Sequence, residues 1–278
     1  MPRVEVAAHA GACFGVERAL QLVKDTRAQA QGAVSTLGPL IHNPRVVDEL
    51  EACGVKAVAE LEDAPAGTLV LRTHGVRPEL EQAARARGLQ VVDATCPFVK
   101  RVHKSVALLA DEGYAVVVVG DAAHPEVQAI VGYAPGAQVV GSAADLAGLE
   151  LPAHVGVVAQ TTLIKAQLDE VVAGLTARCR EVRVFCTICQ ATAERQQAAV
   201  ELAARASAMV VLGGRNSANT AHLASLCAER CARTHHVESP AELRAAWFEG
   251  CELVGVTAGA STPASQIAEL VGALEALA

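Results

Sequence analysis

A chain of 278 residues is long enough to bury a substantial core, and to do so as one large domain or as two or three smaller ones. Hydrophobic residues make up 52% of it but aromatics only 3%, and the apolar runs are of strand length, which excludes spans of about 20 residues that would cross a membrane. A net charge of -7 excludes a broadly basic nucleic-acid-binding face.

The opening MPRVEVAAHA reads as a strand rather than as an export signal, so a cytoplasmic protein is expected. In that reducing setting the nine cysteines serve metals or chemistry more readily than disulfides. In chain order the runs RVEVAA, GTLVLR, LQVVDA, AVVVVG, QVVG, VGVVAQ, EVRVFC, AMVVLGG and LVGVTAG alternate with alanine-rich amphipathic stretches. Such alternation predicts βαβ units and parallel sheets, hence an α/β fold.

Ligands of parallel sheets bind beyond the carboxyl ends of strands, which directs attention to the polar clusters there. These are GPLIHN with His42, RTHGV with His74, GDAAHPEV with His124 and Glu126, AQTT with Thr161 and Thr162, GGRNSAN with Ser217 and Asn219, and TAGAST with Ser261. Three cysteines punctuate the series, each opening a helical stretch: GACFGVERAL with Cys13, ATCPFVKRVH with Cys96 and TICQATAERQQ with Cys189. Intervals of 29, 28 and 28 residues lead from these cysteines to His42, His124 and Ser217, and of 61, 65 and 72 to His74, Thr161 and Ser261. The recurrence predicts three pseudo-threefold-related lobes, each a small mainly parallel sheet with flanking helices, around a central site. The expected lobes are residues 1–95, 96–188 and 189–278.

A thiol at a helix N-terminus tends to ionise, because unpaired N–H groups and the helix dipole favour an anion there. For one cysteine alone a buried apolar role is the simpler reading. Three converging thiolates suit an iron-sulfur centre. Two alternatives use other cysteines: a structural zinc built from Cys186, Cys189, Cys227 and Cys231 with His235 or His236, or a redox dithiol at Cys186 and Cys189. Neither accounts for Cys13, Cys96 or the six polar clusters. His42, His74 and His124 could each be structural, but with Ser217, Asn219 and Ser261 they make a donor-rich lining suited to phosphate oxygens. Glu126 is either a favourable first-turn charge or a proton donor oriented by the Thr161 hydroxyl.

Nine motifs in order, GACFGVERA, LIHNPRVVDEL, THGV, DATCPFVKRVH, HPEVQ, AQTTL, ICQATAERQ, NSANTAHL and VTAGASTP, closely resemble the LytB/IspH family of 4-hydroxy-3-methylbut-2-enyl diphosphate reductases. The resemblance runs through nearly the whole chain. It implies a 4Fe-4S cluster held by Cys13, Cys96 and Cys189, with a fourth iron open to the substrate's allylic hydroxyl. It further implies that His42, His74, His124, Ser217, Asn219 and Ser261 bind the diphosphate, with Glu126, Thr161 and His124 as the catalytic group. Electrons would come from ferredoxin or flavodoxin, and the products would be isopentenyl and dimethylallyl diphosphates, the last step of the non-mevalonate route. A relative acting on another substrate, or an iron-sulfur sensor or carrier, is the alternative. Where the family's motif commonly reads Ser-Ser-Asn, this chain has Ser217-Ala218-Asn219, one hydroxyl fewer.

Overall fold

Valine-rich runs become strands here, and the first, third and fourth strands of each sheet are followed by a helix, while the second returns to the third through short 3-10 turns. The computed structural model describes residues 2–277; Met1 and Ala278, the outer bounds of the first and third expected lobes, lie outside the described residues. The strands are β1 (Arg3–Val6), β2 (Ala33–Leu37), β3 (Val55–Val58), β4 (Gly67–Leu71), β5 (Gln90–Asp93), β6 (Ala115–Val119), β7 (Gln138–Val140), β8 (His154–Ala159), β9 (Glu181–Val184), β10 (Ala208–Leu212), β11 (Thr234–Val237) and β12 (Leu253–Ala258). The helices are α1 (Phe14–Gln29), α2 (Pro44–Ala52), α3 (Pro78–Ala86), α4 (Pro97–Asp111), α5 (Pro125–Gly132), α6 (Lys165–Thr176), α7 (Gln190–Ala203), α8 (Ala218–Ala228) and α9 (Ala264–Leu277). None of them, among the described residues, is long and apolar enough to cross a membrane.

The strands form three four-stranded sheets, β3-β2-β4-β5, β7-β6-β8-β9 and β11-β10-β12-β1, parallel throughout. The expected α/β architecture of three lobes is therefore present, with one strand order used three times. In two sheets the fourth strand follows the third in sequence. In the remaining sheet that place is filled by β1, from the start of the chain, which pairs with β12 along Arg3–Val6 and Leu253–Val256.

Two compact units divide the chain. One holds the N-terminal stretch to Val16, His42–Arg45 and the residues from Gln190 on, and so contains the sheet β11-β10-β12-β1; the other holds Glu17–Ile41 and Val46–Cys189 and contains the other two sheets. Within the second unit, alternation along β6 and β8 splits the core. Val117, Val119, Val155 and Val157 pack with Leu168, Val171 and Leu175 of α6 on one face, and Val116, Val118 and Val158 pack with Val102, Val106 and Leu109 of α4 on the other. Each such side chain contributes about 1.5–3 kcal/mol relative to exposure.

Gly156 of β8 allows α4 to lie close, since a Cβ there would stand 2.7 Å from Leu109 Cδ2 and 3.0 Å from its Cγ. Leu109 is fully buried and has nowhere to swing. Gly156→Ala is therefore expected to destabilise by about 1–3 kcal/mol, and by clearly less when introduced together with Leu109→Ala; a double-mutant cycle of denaturation midpoints reads the coupling.

Candidate functional site

The three thiols occupy one structural position. Cys13, Cys96 and Cys189 immediately precede α1, α4 and α7, and each residue is half-buried. Cys96 is the N-cap of α4 with extended ψ of 133, makes no side-chain capping bond, and is followed by proline at N1, where the missing N–H costs nothing. The Cys13 amide donates to Ala260 O at 3.3 Å, that of Cys96 to Thr73 O at 3.0 Å and that of Cys189 to Thr161 O at 3.0 Å. Each acceptor stands two residues beyond the third strand of its sheet, which ends at Ala258, Leu71 and Ala159. The very next residues are Ser261, His74 and Thr162. One backbone bond thus ties each thiol to a strand-end polar cluster.

The other clusters also repeat. Past the first strands, which end at Leu37, Val119 and Leu212, a glycine follows in each case, and Gly38, Gly120 and Gly213 donate their amides to Val58, Val140 and Val237 O at 2.7, 2.9 and 3.0 Å. Five residues past the strand stand His42, His124 and Ser217. Two of these cap the helix that follows: His124 Nδ1 accepts from Glu126 N at 3.1 Å, and the Ser217 hydroxyl oxygen accepts from Thr220 N at 3.4 Å. Because Nδ1 of His124 is an acceptor, the neutral ring carries its proton on Nε2, as a donor. The His74 and His124 rings meet edge to face with centroids 5.4 Å apart. Asn219, 4% exposed, has neither side-chain Oδ1 nor Nδ2 hydrogen-bonded. A buried amide in that state is a strong candidate for a ligand contact.

Glu126 is 2% exposed. Its Oε1 accepts from Thr161 N at 2.6 Å and its Oε2 from Thr161 Oγ1 at 2.8 Å. Burial raises its pKa to about 7, against the pull of the Thr161 amide and hydroxyl, which favour the carboxylate. The pair makes a proton-holding site near neutral pH.

Two residues that the sequence did not single out hold these groups in place. Gln160, 1% exposed, accepts from Asp121 N at 3.1 Å and donates to Thr162 Oγ1 at 3.2 Å, joining the loop of His124 to that of Thr161. Asn43 donates to Ser261 O at 2.9 Å and to Gln266 Oε1 at 3.0 Å, fixing the Ser261 turn. Nothing in local pattern marks them, since their partners lie far along the chain. Among the remaining cysteines, Cys53 and Cys186 are exposed and Cys227, Cys231 and Cys251 buried. Cys227 and Cys231 lie in an apolar core with Leu202, Met209 and Leu223, and burial, with Cys231 alongside, pushes the Cys227 thiol up to about 12. They are core residues, which removes half of the zinc alternative.

The folded chain holds the Glu126 proton to about pH 7, whereas the ordinary value is 4.5. The resulting stabilisation is complete below the lower value and is lost as pH rises through the higher one, at up to about 1.4 kcal/mol per pH unit. Glu126→Gln, which stays neutral, should therefore gain in melting temperature relative to the parent chain between about pH 5 and about pH 8; parallel melting curves across that range would contradict the assignment.

Comparison with known proteins agrees with this geometry. The family model described as LytB protein matches residues 4–275. The 4-hydroxy-3-methylbut-2-enyl diphosphate reductase of Geobacter sulfurreducens is 52% identical over 270 residues, covering 96% of this chain and 95% of the relative, and that of Citrifermentans bemidjiense is 50% identical over 277 residues, covering 99% and 98%. The solved E-1-hydroxy-2-methyl-but-2-enyl-4-diphosphate reductase of Plasmodium falciparum superposes with a TM-score of 0.93 at 26% identity, covering 98% of this chain and 87% of its own. A further solved (E)-4-hydroxy-3-methyl-but-2-enyl diphosphate reductase, the terminal enzyme of the non-mevalonate pathway, gives a TM-score of 0.73 at 40% identity, covering 99% of this chain and all of its own. With the family model spanning nearly every residue and half the positions shared with its relatives, the chain belongs to the LytB family.

Proposed function

We propose that this chain reductively removes the allylic hydroxyl of 4-hydroxy-3-methylbut-2-enyl diphosphate, yielding isopentenyl and dimethylallyl diphosphates, as its relatives' names and the site geometry together support. The observation that carries this reading is the buried Glu126–Thr161 pair, with the His124 ring two residues from Glu126 meeting that of His74. Two electrons and two protons convert the alcohol into the hydrocarbon and one water. Ferredoxin or flavodoxin is the donor class that suits single-electron delivery.

Cys13, Cys96 and Cys189 fit a 4Fe-4S cluster by the chemistry of the donor set: three half-buried thiols, each opening a helix and each fixed by the same backbone bond. Held by these three thiolates, such a cluster would supply electrons and Lewis acidity toward the C–O bond.

The chain's own groups do the rest. The donors of His42, His74, His124, Ser217, Asn219 and Ser261 hold the diphosphate, with the unsatisfied Asn219 amide gaining the partner it lacks. Glu126, protonated near neutrality, passes its proton from Oε2 to Thr161 Oγ1, which turns its own hydrogen toward the departing hydroxyl. The two oxygens lie 2.8 Å apart, the distance of a normal O–H···O bond. Thr161 N–H stays on Oε1 throughout, stabilising the carboxylate that forms and leaving it ready for reprotonation.

Turnover of the hydroxylated diphosphate by anaerobically loaded protein with a competent electron donor tests the function directly. Glu126→Gln should lower kcat by about 10²–10⁴-fold while iron and sulfide content stay at the parental level. Serine in place of Cys13, Cys96 or Cys189 should cost the cluster itself, whereas Cys186→Ser should keep it. Loss of the cluster from the Cys186 variant would contradict the ligand set.

A further inference from the structure

The helices that the thiols open also reach toward the next thiol in the repeat. On α7, which begins directly after Cys189, Arg195 is 3% exposed. Its Nη2 donates to Gly11 O at 2.8 Å and its Nη1 to Ala191 O in its own helix at 3.1 Å. Gly11 stands two residues before Cys13 and leaves no room for a side chain: its φ is +95, and a Cβ would lie 2.7 Å from Ile267 Cδ1 and 3.1 Å from Thr262 O. The Gly11 amide donates to Ala258 O at 3.2 Å and the Cys13 amide to Ala260 O at 3.3 Å. The backbone entering Cys13 is therefore fixed through both amides by the strand-end loop and through the Gly11 carbonyl by the arginine.

A second instance follows the same plan. On α1, which begins directly after Cys13, Arg18 Nη1 donates to Thr95 O at 3.3 Å, the carbonyl just before Cys96. This bond is longer and only partly buried. On α4, which follows Cys96, the cation Lys100 turns back to Asp93 at 2.6 Å, at the end of its own strand. The plan is thus strong at Cys13, weaker at Cys96, and replaced by an ion pair on the third helix.

We infer that Arg195, with Arg18 in a lesser part, is a positioning residue for the metal centre, holding the backbone that presents a ligand thiolate and bringing a permanent cation to it. The inference rests on the reading of Cys13, Cys96 and Cys189 as cluster ligands. A carbonyl can be held by a neutral amide donor at far lower desolvation cost than by a buried guanidinium. The charge is what a neutral donor would lack, and it favours the reduced, more negative centre.

The test uses anaerobically reconstituted full-length protein: the parent chain, Arg195→Met, Arg195→Lys and Arg18→Met. Three readouts are iron release to a chelator, the midpoint potential of the centre followed by EPR, and the melting temperature of the metal-free chain. Arg195→Met should release iron about tenfold faster, in line with other outer-sphere ligand supports, and shift the midpoint potential to more negative values. Arg195→Lys, which keeps the charge but not the fork, should recover most of the potential and part of the retention. Arg18→Met should show the smaller effect. A purely structural arginine would lower the melting temperature of the metal-free chain and leave the potential of the remaining centres at the parental value, and that result overturns the inference, as does iron release within twofold of parental in Arg195→Met. Should Arg195→Met fail to fold, Arg195→Lys decides: parental potential with slowed or unchanged fold stability but faster iron release supports the role, and parental values throughout overturn it. Failure of the parent chain itself to assemble a 4Fe-4S centre would overturn the ligand reading and this inference together; a parental centre indifferent to Arg195 overturns this inference alone.

Discussion

The bond from the amides of Cys13, Cys96 and Cys189 to the carbonyl two residues beyond each sheet's third strand sets the positions on which the candidate site depends. It is worth about 1 kcal/mol as an isolated interaction, but its geometric effect is larger. It fixes where the fourth strand of each sheet gives way to a helix, and so where a thiol meets the positive end of that helix's dipole. The acceptor residues are one alanine and two threonines, Ala260, Thr73 and Thr161, and all three use the backbone carbonyl. The repeat is held in the backbone, which leaves the adjoining side chains, Ser261, His74 and Thr162, to diverge for separate tasks.

The capping position shows the same economy of means. Five residues past the first strand, the side chain must end a loop and begin a helix, and the residue types that can do both are those with an acceptor close to the backbone. His124 and Ser217 meet that requirement through Nδ1 and Oγ, and each keeps a hydrogen to donate outward. On the proposed reading, one group serves as both helix cap and ligand donor. Ala218 is consistent with this division: it is the first residue of α8, so a hydroxyl there would add a further donor without contributing to the cap.

Much of this architecture was legible in the sequence because the repeat is written in element lengths. Intervals of 28 or 29 residues between thiol and cap position survive where residue identities do not. Three strands escaped the pattern for identifiable reasons. β2, AVSTL, carries buried Ser35 and Thr36, β3, VKAV, is short with an exposed lysine, and β11, THHV, places two histidines where apolar residues are expected. The pairing of β1 with β12 could not be read either, since it joins residues some 250 positions apart and no local signal distinguishes it from pairing within the N-terminal stretch. Asn43 was hidden in the same way, its acceptor Ser261 lying 218 residues away. Cys227 and Cys231 pointed the opposite way: their spacing suits a metal, and only their apolar surroundings show that one belongs to the end of α8 and the other to the segment after it, both as core residues.

Thr161 brings the two halves of the chemistry to a single residue. Its carbonyl accepts the Cys189 amide, its own amide and hydroxyl bind the two oxygens of Glu126, and Gln160 beside it reaches the loop that leads to His124. Burial alone would hold Glu126 neutral and reluctant to release its proton; the two Thr161 donors favour the carboxylate and bring the balance to about 7. In the role proposed for Glu126, an acid that gives up a proton and recovers it in each turnover works best near that balance. Because the carbonyl of the same residue also accepts the Cys189 amide, the placement of the Glu126 carboxyl relative to the Cys189 backbone is set by one short piece of chain rather than by two loops moving independently. In the proposed reaction the hydroxyl would move a proton while the backbone that places it stays fixed by bonds to Glu126 and Cys189.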